Sequence, residues 1–343
     1  MTMPSRLLPL VLAGAAFLAS PSLLGAADAV PGFTVCTAAP CAPTSLARAQ
    51  VPLGEAVVYP AMTYADLQGF RPLTLDLYLP KTRKGPLPVI VLIHGGGWIF
   101  GDTRHEGAFA DLPKVLAEIA AQGFGVASVE YRFGSEAPFP AALKDVKTAI
   151  RWLRANAAEF GLDAGHFVTW GGSAGGQLSA IAATNCGVAA LEPDTAPGYG
   201  AVLHGPPTSV SDCVQGAVAW YGAYDFTRPI GGPFPIEQHP YFGCKPEGCT
   251  KEQLEAPSAA HYLDPGDPPM LLVHGSADKS APPAQSTHFL ELLRAKGIPA
   301  ELVMIHGADH GFRAPTEAAT LEAHRKALAA SLAFTRKVAG TAP

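Results

Sequence analysis

Apolar residues along this chain recur in one rhythm: a short run, a break marked by Gly or Pro, then apolar positions at helical spacing. LTLDLYLP (73–80) alternates apolar and polar and predicts a half-buried strand, followed by a turn over 80–88. Residues 89–93 are apolar throughout, the pattern of a central strand covered on both faces. That run ends in His94-Gly95-Gly96-Gly97, a loop almost free of side chains. The alternation then continues: helix 108–121, strand 125–131, a long helix 140–160 opening with Pro140 and closing at Gly161, and strand 166–170. Next come a helix from Ala174, strands 216–221, 269–274 and 301–305, and helices 283–296 and 317–337. Such alternation predicts an α/β fold with a mostly parallel central sheet and helices on both faces. Two Pro- and Gly-rich segments, 187–215 and 226–267, break the rhythm. They are expected as cap-like insertions over the strand ends, together walling the pocket where ligands bind in open α/β sheets.

The first residues differ from the rest. Arg6, an apolar stretch over 7–18 and small residues at 25–29 predict a secretory signal peptide over 1–27. The apolar run is short for a span and interrupted by proline, so stable membrane insertion is not expected and the destination is periplasmic or extracellular. Residues 28–54 read as an irregular arm, and 55–343 as one catalytic domain carrying both insertions. All six cysteines lie beyond the signal, and their proximity suggests the disulfides Cys36–Cys41, Cys186–Cys213 and Cys244–Cys249, in keeping with export. There is no C-x-x-C and no paired-histidine spacing near them, so neither a metal nor another cofactor is expected. A net charge of −5 without a basic run excludes nucleic acid as a partner. Oligomeric state is not legible.

The candidate chemistry centres on Gly171-Gly172-Ser173-Ala174-Gly175-Gly176. In isolation G-x-S-x-G also fits an ordinary turn in a chain with 36 glycines. Here β-branched and aromatic residues (HFVTW) precede it and small helix formers follow, so a strand becomes a helix at Ser173 and the glycines let the two approach closely. A serine hydroxyl needs a base, and the base a carboxylate. His310 stands in Ala-Asp-His-Gly-Phe after the last strand. For the acid, Asp278 follows the strand MLLVH, while Asp225 at the end of YGAYD remains a second candidate. Asp309, adjoining His310, reads as a loop brace. The order Ser173, Asp278, His310 matches the nucleophile, acid, base order of the α/β-hydrolase arrangement. Amides of the HGGG loop, with that of Ala174, are candidate donors to an oxyanion. His94 reads as a structural residue bonded to the loop backbone.

These segments together resemble the secreted carboxylesterases of the α/β-hydrolase fold, in the hormone-sensitive-lipase-like group with its acetyl-xylan and feruloyl esterase relatives. The likeness runs from about Leu73 to Phe312 through LTLDLYLP, HGGGWIFGD, VEYRFGSEAPFPAALKD, GGSAGG, PPMLLVHGSAD and ADHGF. It implies Ser173 as nucleophile, Asp278 as acid, His310 as base, Gly96, Gly97 and Ala174 as oxyanion donors, and Trp98 and Tyr224 as pocket residues. The implied substrate is a small-molecule or polysaccharide-linked carboxylic ester, hydrolysed through an acyl-enzyme. Gly172, Glu130 and Ser135 depart from the commoner residues of the group. Two alternatives fit less well: a prolyl-oligopeptidase-type serine peptidase, whose propeller finds little room ahead of His94, and an inactive binding module, against which all three triad residue types weigh.

Overall fold

The computed structural model describes Gly32 and residues 50–193, 200–231 and 235–340. The expected signal peptide, the arm up to residue 49 apart from Gly32, and the Cys36–Cys41 pair lie outside the described residues. In chain order the elements are β1 (Val51–Leu53), β2 (Ala56–Leu67), β3 (Leu73–Pro80), β4 (Leu87–Ile93), α1 (Leu112–Ala121), β5 (Gly125–Val129), α2 (Ala141–Ala155), α3 (Ala157–Phe160) and β6 (Leu162–Gly172). They continue with α4 (Ala174–Thr184), β7 (Val202–His204), β8 (Gly216–Trp220), α5 (Lys251–Glu255), β9 (Met270–Gly275), α6 (Ala284–Ala295), β10 (Ala300–Ile305) and α7 (Glu317–Val338).

The strands form one sheet in the order β1-β2-β3-β5-β4-β6-β8-β9-β10, with β7 paired to β2. From β5 to β10 every pairing is parallel, and β1, β2 and β3 add an antiparallel flank. Each central strand feeds two cores, because successive side chains point to opposite faces. On β4, Val89, Val91 and Ile93 share a core with Leu143, Val146 and Ile150 of α2 and with Leu178 and Ile181 of α4. Ile90 and Leu92 face the other way, onto Leu112, Val115 and Leu116 of α1. Helices α2, α4 and α6 thus cover one face, and α1 and α7 the other.

Four differences from the sequence reading concern single elements. Helix α1 starts at Leu112 because Asp111 caps it, its side chain accepting from the Lys114 amide. The expected long helix breaks at Asn156, whose φ of −99° and ψ of 12° leave helical geometry and whose side chain bonds back to the Trp152 carbonyl at 2.8 Å. Residues 51–53, expected as irregular, form β1 on β2. The long strand β2 is not legible in the sequence because bulges between Tyr59 and Met62 and between Thr63 and Ala65 interrupt its period of two.

The largest correction concerns residues 187–215. They follow a helix, not a strand: α4 returns the chain to the opposite end of the strands, so what comes next lies away from the strand ends that bear Ser173. None of their described residues lines the main cavity. They lie instead against α2, where Lys147 Nζ reaches Glu192 (2.7 Å) and Asp212 (2.8 Å), and Arg151 reaches Asp212 (3.1 Å). Cys186 and Cys213 close this segment with a disulfide, their Cα atoms 5.0 Å apart. Cys186→Ser/Cys213→Ser should therefore cost about 2–4 kcal/mol of stability in chemical denaturation while leaving KM for an ester unchanged; an altered KM would place the segment at the site. Residues 226–267 do leave directly from β8, and they supply Ile230, Gly231 and His239 to the cavity wall.

Candidate active site

Strand β6 turns into helix α4 at Ser173, which holds φ 56° and ψ −117°. Such backbone strain survives only where the surroundings enforce it. The Ser173 amide donates to the Trp220 carbonyl (2.9 Å), and the Ser173 carbonyl accepts from the Gln177 amide (3.0 Å). A Cβ at Gly175 would sit 1.9 Å from the Ile93 carbonyl oxygen, so only glycine lets the helix start so close to β4.

The structure brings Ser173, His310 and Asp278 together. Ser173 Oγ lies 2.9 Å from His310 Nε2, and His310 Nδ1 lies 2.8 Å from Asp278 Oδ2. An ionised carboxylate only accepts, so Nδ1 carries the proton and Nε2 is left to accept from the serine hydroxyl. Asp278 is buried, and its Oδ1 accepts the amides of Ser280 (2.8 Å) and Ala281 (2.9 Å). Burial alone would raise this carboxyl, but hydrogen bonds from His274 and His310, the His310 charge and the Ala281 amide outweigh it and hold the group well below the usual carboxylate range. Asp225 points elsewhere, accepting from the Thr227 amide (3.0 Å) and lying 3.4 Å from His288 Nε2. Asp309 accepts the amides of Lys279 (3.0 Å) and His310 (2.8 Å), bracing the two loops against each other.

The glycine loop runs beside this group. Gly95 donates its amide to Glu106 (2.6 Å). Gly96 and Gly97 take φ of 111° and 58°, and among the described residues no hydrogen bond uses their amides or that of Ala174. His94 anchors the loop: its ring stacks on Tyr131 (4.4 Å), and its Nδ1 lies 2.7 Å from the Gly95 carbonyl. Burial pushes this imidazole down to about 4, so it is neutral in neutral solution.

Ser173, His310, Gly96, Gly97 and Ala174 all line a cavity of about 450 Å³. Trp98 also lines it, stacked on Tyr241 (4.4 Å) with its indole N–H on Gln177 Oε1 (2.9 Å). Tyr224 does not reach it. That ring is wholly buried against Phe289 (4.7 Å), its hydroxyl accepting the Gly222 amide, and Tyr221 lines the cavity instead. Both tyrosines stand in YGAYD, and the motif alone does not say which one turns inward. Sequence reasoning also passed over Glu106, His239 and His274. Their only signals were position: Glu106 soon after the glycine loop, His239 inside an insertion, His274 at the end of a strand. Among the described residues, no three His, Cys, Asp or Glu side chains gather as metal ligands would, and no helix is long and apolar enough to cross a membrane.

Comparison with known proteins places the chain among esterases of this fold. The BD-FAE family matches residues 75–293. Esterase LipC of Mycobacterium tuberculosis is 34% identical over 242 residues, covering 66% of this chain and 53% of LipC. Carboxylesterase NlhH of the same organism is 39% identical over 115 residues, 34% of each chain. This chain thus spans about half or less of the curated relatives it matches. Among solved structures, an esterase from Thermogutta terrifontis, Est2, superposes with a TM-score of 0.63 at 27% identity, covering 82% of this chain and 94% of that one. A truncated carbohydrate esterase from gut microbiota superposes with a TM-score of 0.65 at 25% identity, covering 83% and 96%. With the parallel sheet, the strained serine turn and the family match over more than half its length, the chain belongs to the BD-FAE family of the α/β-hydrolase fold.

Proposed function

We propose that this protein is a secreted or periplasmic carboxylic ester hydrolase acting through a Ser173 acyl-enzyme. His310 Nε2 takes the hydroxyl proton as Ser173 Oγ attacks the ester carbonyl, and Asp278 holds the resulting imidazolium. The amides of Gly96, Gly97 and Ala174 receive the charge that develops on the carbonyl oxygen. The imidazolium then returns its proton to the departing alcohol. Water, deprotonated by the same nitrogen, releases the acid and restores Ser173. The observation that carries this reading is the unbroken chain of hydrogen bonds Ser173–His310–Asp278 opening onto a cavity beside unused amides. The Cys186–Cys213 and Cys244–Cys249 disulfides support an oxidising compartment.

Short acyl esters, acetyl or feruloyl groups on small molecules or polysaccharides among them, are the proposed substrates. The relatives support this class: Est2 is described in a propionate-bound form and in a form phosphorylated by paraoxon. A fluorophosphonate probe should accordingly add one phosphonyl group to this protein, and peptide mass spectrometry should map it to Ser173. An unmodified serine in folded protein, or hydrolysis of an aminoacyl anilide in preference to an ester of similar size, would reject the proposal. An acetyl-to-dodecanoyl ester series with methyl ferulate then orders the substrates.

A further inference from the structure

Glu106 comes from the loop between β4 and α1, yet its carboxyl lies at the centre of the site. The side chain is over nine-tenths buried. One oxygen accepts the Gly95 amide at 2.6 Å, and the other accepts the Tyr221 hydroxyl at 3.1 Å. Tyr221 in turn sets its ring edge-on to His310, centroids 4.9 Å apart. The same carboxyl occupies the space beside the serine turn: a Cβ on Gly172 would lie 2.4 Å from Glu106 Oε1.

We propose that Glu106 is a positioning residue for ester hydrolysis, its carboxylate locking the glycine loop through Gly95 and the base through Tyr221 at one point. This rests on the esterase reading above and extends it to a residue outside the triad. In this arrangement the Gly95 amide, which can only donate, and the Tyr221 hydroxyl, which donates here, each take one of the two Glu106 oxygens. Protonating the carboxyl turns one acceptor oxygen into a donor, which the Gly95 amide cannot receive and the Tyr221 hydroxyl receives only by giving up the bond it donates, so the lock is altered. Burial is the main cause that pushes Glu106 up to about 7, against lowering by the Gly95 and Tyr221 hydrogen bonds and the His310 charge. Around it stand Tyr131 and Tyr221, both raised well above the ordinary phenol by burial, His324 near Gly107, pushed down to about 4 by burial, and Arg313, which reaches the Gly107 carbonyl. His105 is turned to Asp102 at 2.8 Å. Glu106 is then a group whose protonation an activity profile reads.

The sign for stability is opposite to that for activity. A folded-state carboxyl raised from 4.5 to about 7 contributes most stability at low pH and loses it as the pH rises through that window. Glu106→Gln keeps the shape but has one acceptor. It is expected to lower kcat about tenfold to a hundredfold, with KM little changed, and to melt no lower than wild type at pH above 7. The acid limb of kcat/KM should become shallower in Glu106→Gln, and Glu106→Asp should recover part of the activity that Glu106→Ala loses. Independently of turnover, the His310 ring resonance in isotope-labelled protein should show a second inflection that Glu106→Gln removes. Wild-type kcat with an unchanged acid limb in Glu106→Gln, a loss matched by a lower melting temperature, or one inflection for His310 in both proteins would overturn the proposal. Wild-type protein that hydrolyses no ester would instead reject the esterase reading, while the His310 resonance still decides whether Glu106 is coupled to that ring.

Discussion

Ser173→Ala is expected to lower kcat for a p-nitrophenyl ester about 10⁵-fold or more, with the fold intact. The hydroxyl's described partner is His310 Nε2, so its loss removes the atom that forms the acyl-enzyme and disturbs little else. Alanine meets the same positive φ as serine, so the turn gains no new strain. KM should move little, because Trp98, Ile230 and the glycine loop still shape the cavity. The residual rate would come from the amides of Gly96, Gly97 and Ala174 alone. Turnover within tenfold of wild type, measured by steady-state kinetics on protein with a native melting curve, would place the chemistry elsewhere.

The second large effect separates two carboxylates. Asp278→Asn should reduce kcat by about 10³–10⁴-fold, because an asparagine amide facing Nδ1 favours the tautomer with the proton on Nε2, which no longer accepts from Ser173. Asp225→Asn should leave kcat near wild type, since Asp225 is engaged with Thr227 and His288. Asp278 also carries a pH signature. Its folded-state carboxyl is held below the ordinary 3.8, so its stabilisation is in place above that value and is lost as the pH falls beneath it. Asp278→Asn should therefore flatten the acid limb of the stability profile. Equal losses from the two aspartate variants would contradict this division of roles.

What was legible along the chain was whatever the local pattern of side chains dictates. The buried runs of β4, β5, β8 and β9, the helical spacing of α6 and α7, and the glycines around Ser173 each show in a window of a few residues, because burial on one or both faces and close backbone approach restrict residue type on the spot. Strand β2 was hidden by its own bulges. The sites of the insertions were legible, but not where they go: α4 carries 187–215 away from the cavity, whereas β8 releases 226–267 onto it. Tyr221 rather than Tyr224 lines the cavity, Asp278 rather than Asp225 meets His310, and Glu106 joins a loop, a tyrosine and the serine turn. Such choices belong to the tertiary structure alone, because each depends on distances between segments far apart in sequence, which no local periodicity encodes.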